Sequence, residues 1–283
     1  MVVSIPASLA LHQRSPNRRP AFTVTASAKR FGIEHPRWTR YYTGVEADAP
    51  TAVVVANDGS LVRARNNAGA LDWSRVTSPG PGSTFSSWTN IVAVTSGNAI
   101  AMCAKASEIL LAYVDNTSLT LKIRTSSDNG ASWSAATTIV TEASAIVGMA
   151  AAYRPNGDAC LFYCVGTNVK TLRRVAGVWA GVGTSWSRSG SVATLTGVAA
   201  THDGGDFPVV VTGTAVTTTH KRVWGCLFGD GSALASNTWS GLVSIAEADS
   251  LSTTSFAGPS IIMLGAVPHA SYAHKETGNV AFN

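Results

Sequence analysis

In this chain of 283 residues only 13% are charged, about half the share usual for a globular protein. Hydrophobic residues make up 45%, with 26 Gly, 11 Pro and 8 Trp, a balance that excludes intrinsic disorder and argues against a helical bundle. The formal charge of +5 is uneven, since residues 1–40 hold seven basic residues against the single acid Glu34, while residues 41–283 hold 14 basic and 15 acidic.

Residues 1–35 read as a basic N-terminal arm carrying Arg14, Arg18, Arg19, Lys29 and Arg30. Its charges follow its apolar start, the reverse of a secretory signal. No run approaches the roughly 20 apolar residues that span a bilayer. A nucleic-acid binder needs a basic stripe with interleaved aromatics on its folded face, which a neutral body does not supply. Neither nucleic acid nor membrane insertion is therefore expected, and the arm is expected to dock on a protein scaffold or to solubilise the chain.

Residues 36–283 read as one repeating domain of short strands and tight turns. The first unit is expected at Thr51–Ala56, Leu61–Asn66, Leu71–Thr77 and Trp88–Val94. The second covers Ala99–Lys105, Ile109–Val114, Leu119–Arg124 and Trp133–Val140. The third covers Ile146–Tyr153, Ala159–Val165, Val169–Val175 and Trp186–Leu195. The fourth covers Val198–His202, Phe207–Thr212, Thr219–Phe228 and Trp239–Ala246. A fifth has Ser260–Leu264, Ala270–Ala273 and Asn279–Asn283, and lacks a Trp strand. Trp38, Trp88, Trp133, Trp186 and Trp239 recur at spacings of 50, 45, 53 and 53 residues, a period of propeller type.

The loop before Trp133 reads Ser126-Ser-Asp128-Asn-Gly130-Ala-Ser132-Trp133, a full match to S-x-D-x-G-x-[ST]-W. Asp128 suits the acceptor role in a compact turn and Gly130 a positive φ. Trp133 is expected to open the next strand. On these residues the chain resembles the Asp-box, or BNR, repeat of sialidases and related β-propellers. The resemblance implies that Ser126, Asp128, Gly130, Ser132 and Trp133 are structural, at the periphery and away from any active site. The expected fold is all-β, a five-bladed β-propeller of four-stranded antiparallel blades. Its ring would be closed by Trp38–Tyr42 pairing with Asn279–Asn283, unless further residues of a longer chain complete that blade.

Catalytic candidates are thin. A sialidase-like enzyme would need an arginine triad, a Tyr–Glu nucleophile pair and an Asp acid/base. Arg63, Arg65, Arg75, Arg124, Arg173 and Arg174 fall in strands of different blades and read as surface residues. The nearest local Tyr–Glu pair, Tyr272 and Glu276, reads as a strand-end tyrosine and a turn glutamate. Asp48, Asp58, Asp115, Asp158, Asp203, Asp206 and Asp230 all stand in turn contexts, where Asp is a turn former. Paired carboxylates facing one cavity are thus not expected. His202 with Asp203 and Asp206 reads as a Gly-rich turn. Cys103, Cys160, Cys164 and Cys226 read as core thiols, Cys160 and Cys164 lying roughly 13 Å apart along one strand. No catalytic residue, metal or cofactor is expected.

Binding remains. Trp73, Trp179 and Trp224 lie outside the repeated series, and Trp179, within AGVWAGVG, is the best candidate for ligand contact. The order of arm and propeller, with GVEADAP, DGSLVRARNNAG and SPGPGSTFSSW, is similar to the N-terminal propeller of phage or prophage tail-associated proteins. That resemblance implies a virion or extracellular surface component recognising cell-surface glycan or protein. The expected function is a non-catalytic binding or structural module, with a sialidase-like exo-glycosidase of degenerate site as the alternative.

Overall fold

The structure is a computed structural model that describes residues 50–80, 83–154, 157–180, 186–187, 194–202, 207–214, 220–228, 239–249, 255–264, 267–276 and 279–282. Beyond Trp179, side chains are described at 195–202, 209–211, 259–264 and 267–271. The basic arm, Trp38 and the proposed closing strand Trp38–Tyr42 lie outside the described residues.

The described residues form strands and turns, with no helix. The first sheet holds β1 (Thr51–Val55), β2 (Leu61–Asn67), β3 (Ala70–Val76) and β4 (Thr89–Ala93). The second holds β5 (Ile100–Lys105), β6 (Glu108–Val114), β7 (Thr120–Ser126) and β8 (Thr137–Thr141). In the third, β9 (Ile146–Tyr153), β10 (Ala159–Val165) and β11 (Asn168–Val175) are joined by two short edge strands. These are β12 (Val178–Ala180) and β13 (Trp186–Ser187), pairing with opposite ends of β11. The fourth sheet holds β14 (Thr194–Ala200), β15 (Phe207–Thr214), β16 (His220–Phe228) and β17 (Trp239–Asp249). The fifth holds β18 (Ser255–Leu264), β19 (Val267–Glu276) and β20 (Asn279–Phe282).

Every pairing is antiparallel, and each sheet follows chain order. The first strands β1, β5, β9, β14 and β18 lie each against the next, so consecutive sheets stack face to face. The sequence dictates this packing. The run Ala159–Val165, ACLFYCV, is apolar at every position and is buried at every position, as a strand covered on both faces must be. One face of β10 (Ala159, Leu161, Tyr163, Val165) joins Leu110, Ala112 and Val114 of β6 in a core between the second and third sheets. The other (Cys160, Phe162, Cys164) packs on Leu195, Val198, Val209 and Val211 of the fourth. A third core joins Val62, Ala64 and Leu71 to Ile109, Leu111 and Tyr113. Where β9 meets β14 the backbones come so close that a side chain on Gly148 would stand 2.9 Å from the Gly197 Cα.

β13 and β17 open on Trp186 and Trp239 as the spacing predicts, but the strands after Trp88 and Trp133 start later. Trp133 lies outside β8, because the Asp-box loop runs on through Ser134, whose N–H donates to Thr125 O at 2.8 Å. Trp88 likewise stands one residue before β4. The expected strand Trp186–Leu195 is shorter, and Leu195 belongs to β14 of the next sheet, where its N–H donates to Gly166 O. Cys103, Cys160 and Cys164 are buried and free, with burial pushing the Cys160 thiol up to about 12; the Cys226 side chain lies outside the described residues.

The two outermost sheets each leave an apolar face open. Val53 and Val55 of β1 are 57% and 64% exposed, and Ile262 and Leu264 of β18 are 54% and 57% exposed.

Candidate functional site

The Asp-box loop between β7 and β8 is a closed hydrogen-bond system. Asp128 Oδ1 accepts from the Ser126 hydroxyl (2.7 Å) and from the N–H groups of Ala131 (3.0 Å) and Ser132 (2.9 Å), while Oδ2 accepts from the Ser132 hydroxyl (2.6 Å). Ser126 Oγ accepts in turn from Gly130 N–H at 2.8 Å. The bonds from Ser132 and Ser126 hold the Asp128 carboxyl well below the usual carboxylate range. Trp133 turns back on the first sheet, edge to face with Trp73 at 6.2 Å. All of this chemistry is spent within the loop and its seam.

Asp128→Ala should lower stability by about 1 kcal/mol at pH 7, a fall of about 2–3 °C in the thermal midpoint. Because the folded carboxyl titrates below its unfolded value, this contribution is present above about pH 4 and is lost as pH falls further. In thermal scans of both proteins, the gap between their midpoints should therefore be narrower at pH 3 than at pH 7.

Among the repeat tryptophans, Trp88 is engaged by cations. The Arg63 guanidinium carbon lies 4.0 Å from the ring centroids of both Phe85 and Trp88, and that of Arg65 lies 4.0 Å from Trp88. Two guanidinium groups already crowd this ring, which leaves it little surface for a ligand. Trp186 stands across from Val169 and Trp239 across from Phe228.

Trp179 has richer company. Tyr153 of β9 pairs with Ala159 of β10, Ala159 with Arg174 of β11, and Arg174 with Trp179 of β12. Cross-strand partners share a face, so these four residues form one row across the third sheet. The row ends at tight hairpins: Ala176 and Gly177, with φ of 47° and 84°, make the two-residue turn that brings β12 back beside β11. It faces the second sheet, from which Glu108 reaches across. Arg174 donates to both Glu108 oxygens, at 2.5 and 3.2 Å, and the Tyr153 hydroxyl donates to Oε1. Burial opposes ionisation of Glu108, but the hydrogen bonds from Arg174 and Tyr153 outweigh it, and the carboxyl titrates below its usual range. Burial, then the bond to Glu108, pushes the Tyr153 phenol up, so it stays a protonated donor. Trp179 packs half-buried against the core beside them.

A second Tyr–Glu contact lies in the same seam. Tyr163, fully buried, donates to Glu142 Oε1 at 2.8 Å, and Lys170 donates to Oε2 at 2.6 Å. By contrast, Tyr272 falls inside β19 and Glu276 is the last residue of that strand rather than a turn residue. Four residues apart in a strand, their backbones stand roughly 13 Å apart. The signal that finds the real contact is the blade period: Glu108 and Tyr153 are 45 residues apart, one repeat, and stand at matching hairpin ends of adjacent sheets.

The strand arginines serve their own sheets: Arg75 binds Asp58 (2.6 Å), Arg124 the Ser134 carbonyl (2.6 Å), Arg173 Asp158 (2.7 Å) and Arg65 Asp72 (3.4 Å). Asp58 and Asp115 cap their turns at Ser60 and Thr117, as turn aspartates do. Across β1, β5, β9, β14 and β18 the sequence contains neither Asp nor Glu. Asp203, Asp206 and Asp230 lie outside the described residues, and among those described no three His, Cys, Asp or Glu side chains gather as a metal site.

No family model and no curated protein matches the chain. Solved structures do. The SapL1 lectin in complex with α-methyl fucoside is similar at TM-score 0.51 and 12% identity, over 80% of this chain and 72% of its own. An exo-β-1,3-galactanase from Phanerochaete chrysosporium, holding β-1,3-galactotriose, is similar at TM-score 0.50 and 12% identity, over 79% of this chain. The chain spans just over half, 55%, of that galactanase. The NanB sialidase from Streptococcus pneumoniae follows at TM-score 0.49 and 14% identity, over 72% of this chain and 32% of its own. At such identities the likeness is one of fold, and the fold is that of a β-propeller.

Proposed function

We propose that the protein is a non-catalytic recognition propeller for cell-surface glycan, carried on an extracellular or phage-tail-like particle surface. The basic arm 1–35 docks the propeller on a protein scaffold. One observation carries the reading: the five first strands, which line the axis of a propeller, contain no Asp or Glu. General acid/base glycoside hydrolysis needs two facing carboxyls, about 5–9.5 Å apart. The likeness of fold to a lectin over most of the chain supports the same reading.

The expected test is a glycan array run beside turnover assays on fluorogenic sialosides and galactosides. Binding without turnover fits the proposal, and saturable turnover overturns it. An exo-glycosidase is the second reading, favoured by the Tyr153–Glu108–Arg174 contact. It requires turnover that Tyr153→Phe abolishes.

The propeller is taken to be five-bladed, of Asp-box type, with Trp38–Tyr42 completing the fifth blade beside β20. The open apolar faces of β1 and β18 support closure, since each would cover the other. Closure predicts that Val55→Asp costs about 2 kcal/mol, because it places a carboxylate in a covered seam. Urea unfolding of this variant within about 0.5 kcal/mol of the parent would mean that the face is open in solution.

A further inference from the structure

We propose that Glu108, Arg174 and Trp179, with Tyr153 beneath them, form a saccharide subsite selective for neutral sugars. This rests on the glycan-recognition reading above and adds to it a location and a ligand class. The carboxylate and guanidinium are locked side by side by two hydrogen bonds, at 2.5 and 3.2 Å. Glu108 Oε1 is occupied by Tyr153 and Arg174, but Oε2 accepts only the longer bond from Arg174 among the described contacts. A carboxylate oxygen can accept two hydrogen bonds, so Oε2 retains capacity for one more donor. The Arg174 guanidinium uses Nε toward the Gly177 carbonyl and one N–H on each terminal nitrogen, which leaves two N–H groups.

An acceptor and a donor fixed at this separation match two neighbouring hydroxyls of a pyranose. The side chains are partly open to solvent, Glu108 at 35% and Arg174 at 18% exposure. Trp179, one strand further out in the same row, supplies the aromatic surface for the apolar face of a sugar. Two features select against acidic sugars. Glu108 stays ionised, because Arg174 and Tyr153 stabilise its anion more than burial opposes it. The positive charge of Arg174 is already matched by Glu108, so a sialic or uronic carboxylate would meet an occupied guanidinium beside a like charge.

The test uses the full chain on an array of neutral galactosides and fucosides together with sialosides, at pH 7. The parent protein is expected to bind neutral glycans in preference to sialosides. Trp179→Ala should weaken that binding about tenfold, and Trp179→Phe should restore most of it. Glu108→Gln, isosteric with the native side chain, should weaken it comparably while the circular dichroism spectrum is unchanged. Parent binding that is preferentially to sialosides, or that both Trp179→Ala and Glu108→Gln leave intact, overturns the subsite but leaves glycan recognition standing elsewhere. No parent binding to any glycan overturns both.

Discussion

Phe162→Ala should cost about 4 kcal/mol of unfolding free energy, the largest loss expected here for a single substitution. Phe162 is fully buried at the centre of β10, on the face that packs against the fourth sheet. Most of the cluster around it is small or stiff (Ala150, Ala152, Cys160, Cys164, Val209 and Val211), with Leu195 its one longer aliphatic side chain. Alanine and cysteine have no length to swing into the space a phenyl ring leaves, and β-branched valines are fixed in χ1. The cavity should therefore stay open and add its own penalty to the lost transfer energy. Denaturant titration measures this directly. A loss under about 1.5 kcal/mol would mean that the third and fourth sheets slide together to fill the gap, and that their seam is far softer than its burial implies.

Gly130→Ala is expected to cost about 3 kcal/mol, through two separable causes. The residue sits at φ 82°, where an L side chain is strained, and a Cβ there would stand 2.6 and 3.0 Å from the two methyls of Val62 in the first sheet. Gly59 provides the control. Its φ is 79°, but nothing lies within 4 Å of the added carbon, so Gly59→Ala should show the strain alone, about 1 kcal/mol. The steric part should shrink when Val62 is trimmed, making Gly130→Ala cheaper in a Val62→Ala background. Equal costs for the two glycine substitutions would show that the loop lifts away from the first sheet without penalty. The Asp box would then be a local hairpin device and not a seam.

Much of the strand order was legible. Runs such as Thr51–Val55 and Ala159–Val165 are apolar, β-branched and bounded by turn residues, and the structure places strands there. Strands marked by tryptophan were the weak point. An indole can pack from a loop as well as from a strand: Trp133 does so on the neighbouring sheet, and Trp88 against Arg63 of its own. The Tyr153–Glu108 contact is not legible as a local pair, because sheet stacking brings the two residues together. Trp179 stood out by position, but its relation to Arg174 depends on hairpin register, which the loop AGVWAGVG does not declare. The aspartates of turns, by contrast, declare themselves by their neighbours, and Asp58 and Asp115 do what those neighbours imply.

The three thiols buried among the described residues give this protein a built-in report on how it opens. Cys103 belongs to the core between the second and third sheets, and Cys160 and Cys164 to the core between the third and fourth. Burial raises all three well above the range where thiolate forms near neutral pH, so an alkylating reagent meets no nucleophile until a seam parts. The rate at which each cysteine is trapped then measures the opening of its own seam. A mass spectrum taken over time would say whether neighbouring blades separate one at a time or only as the whole chain unfolds.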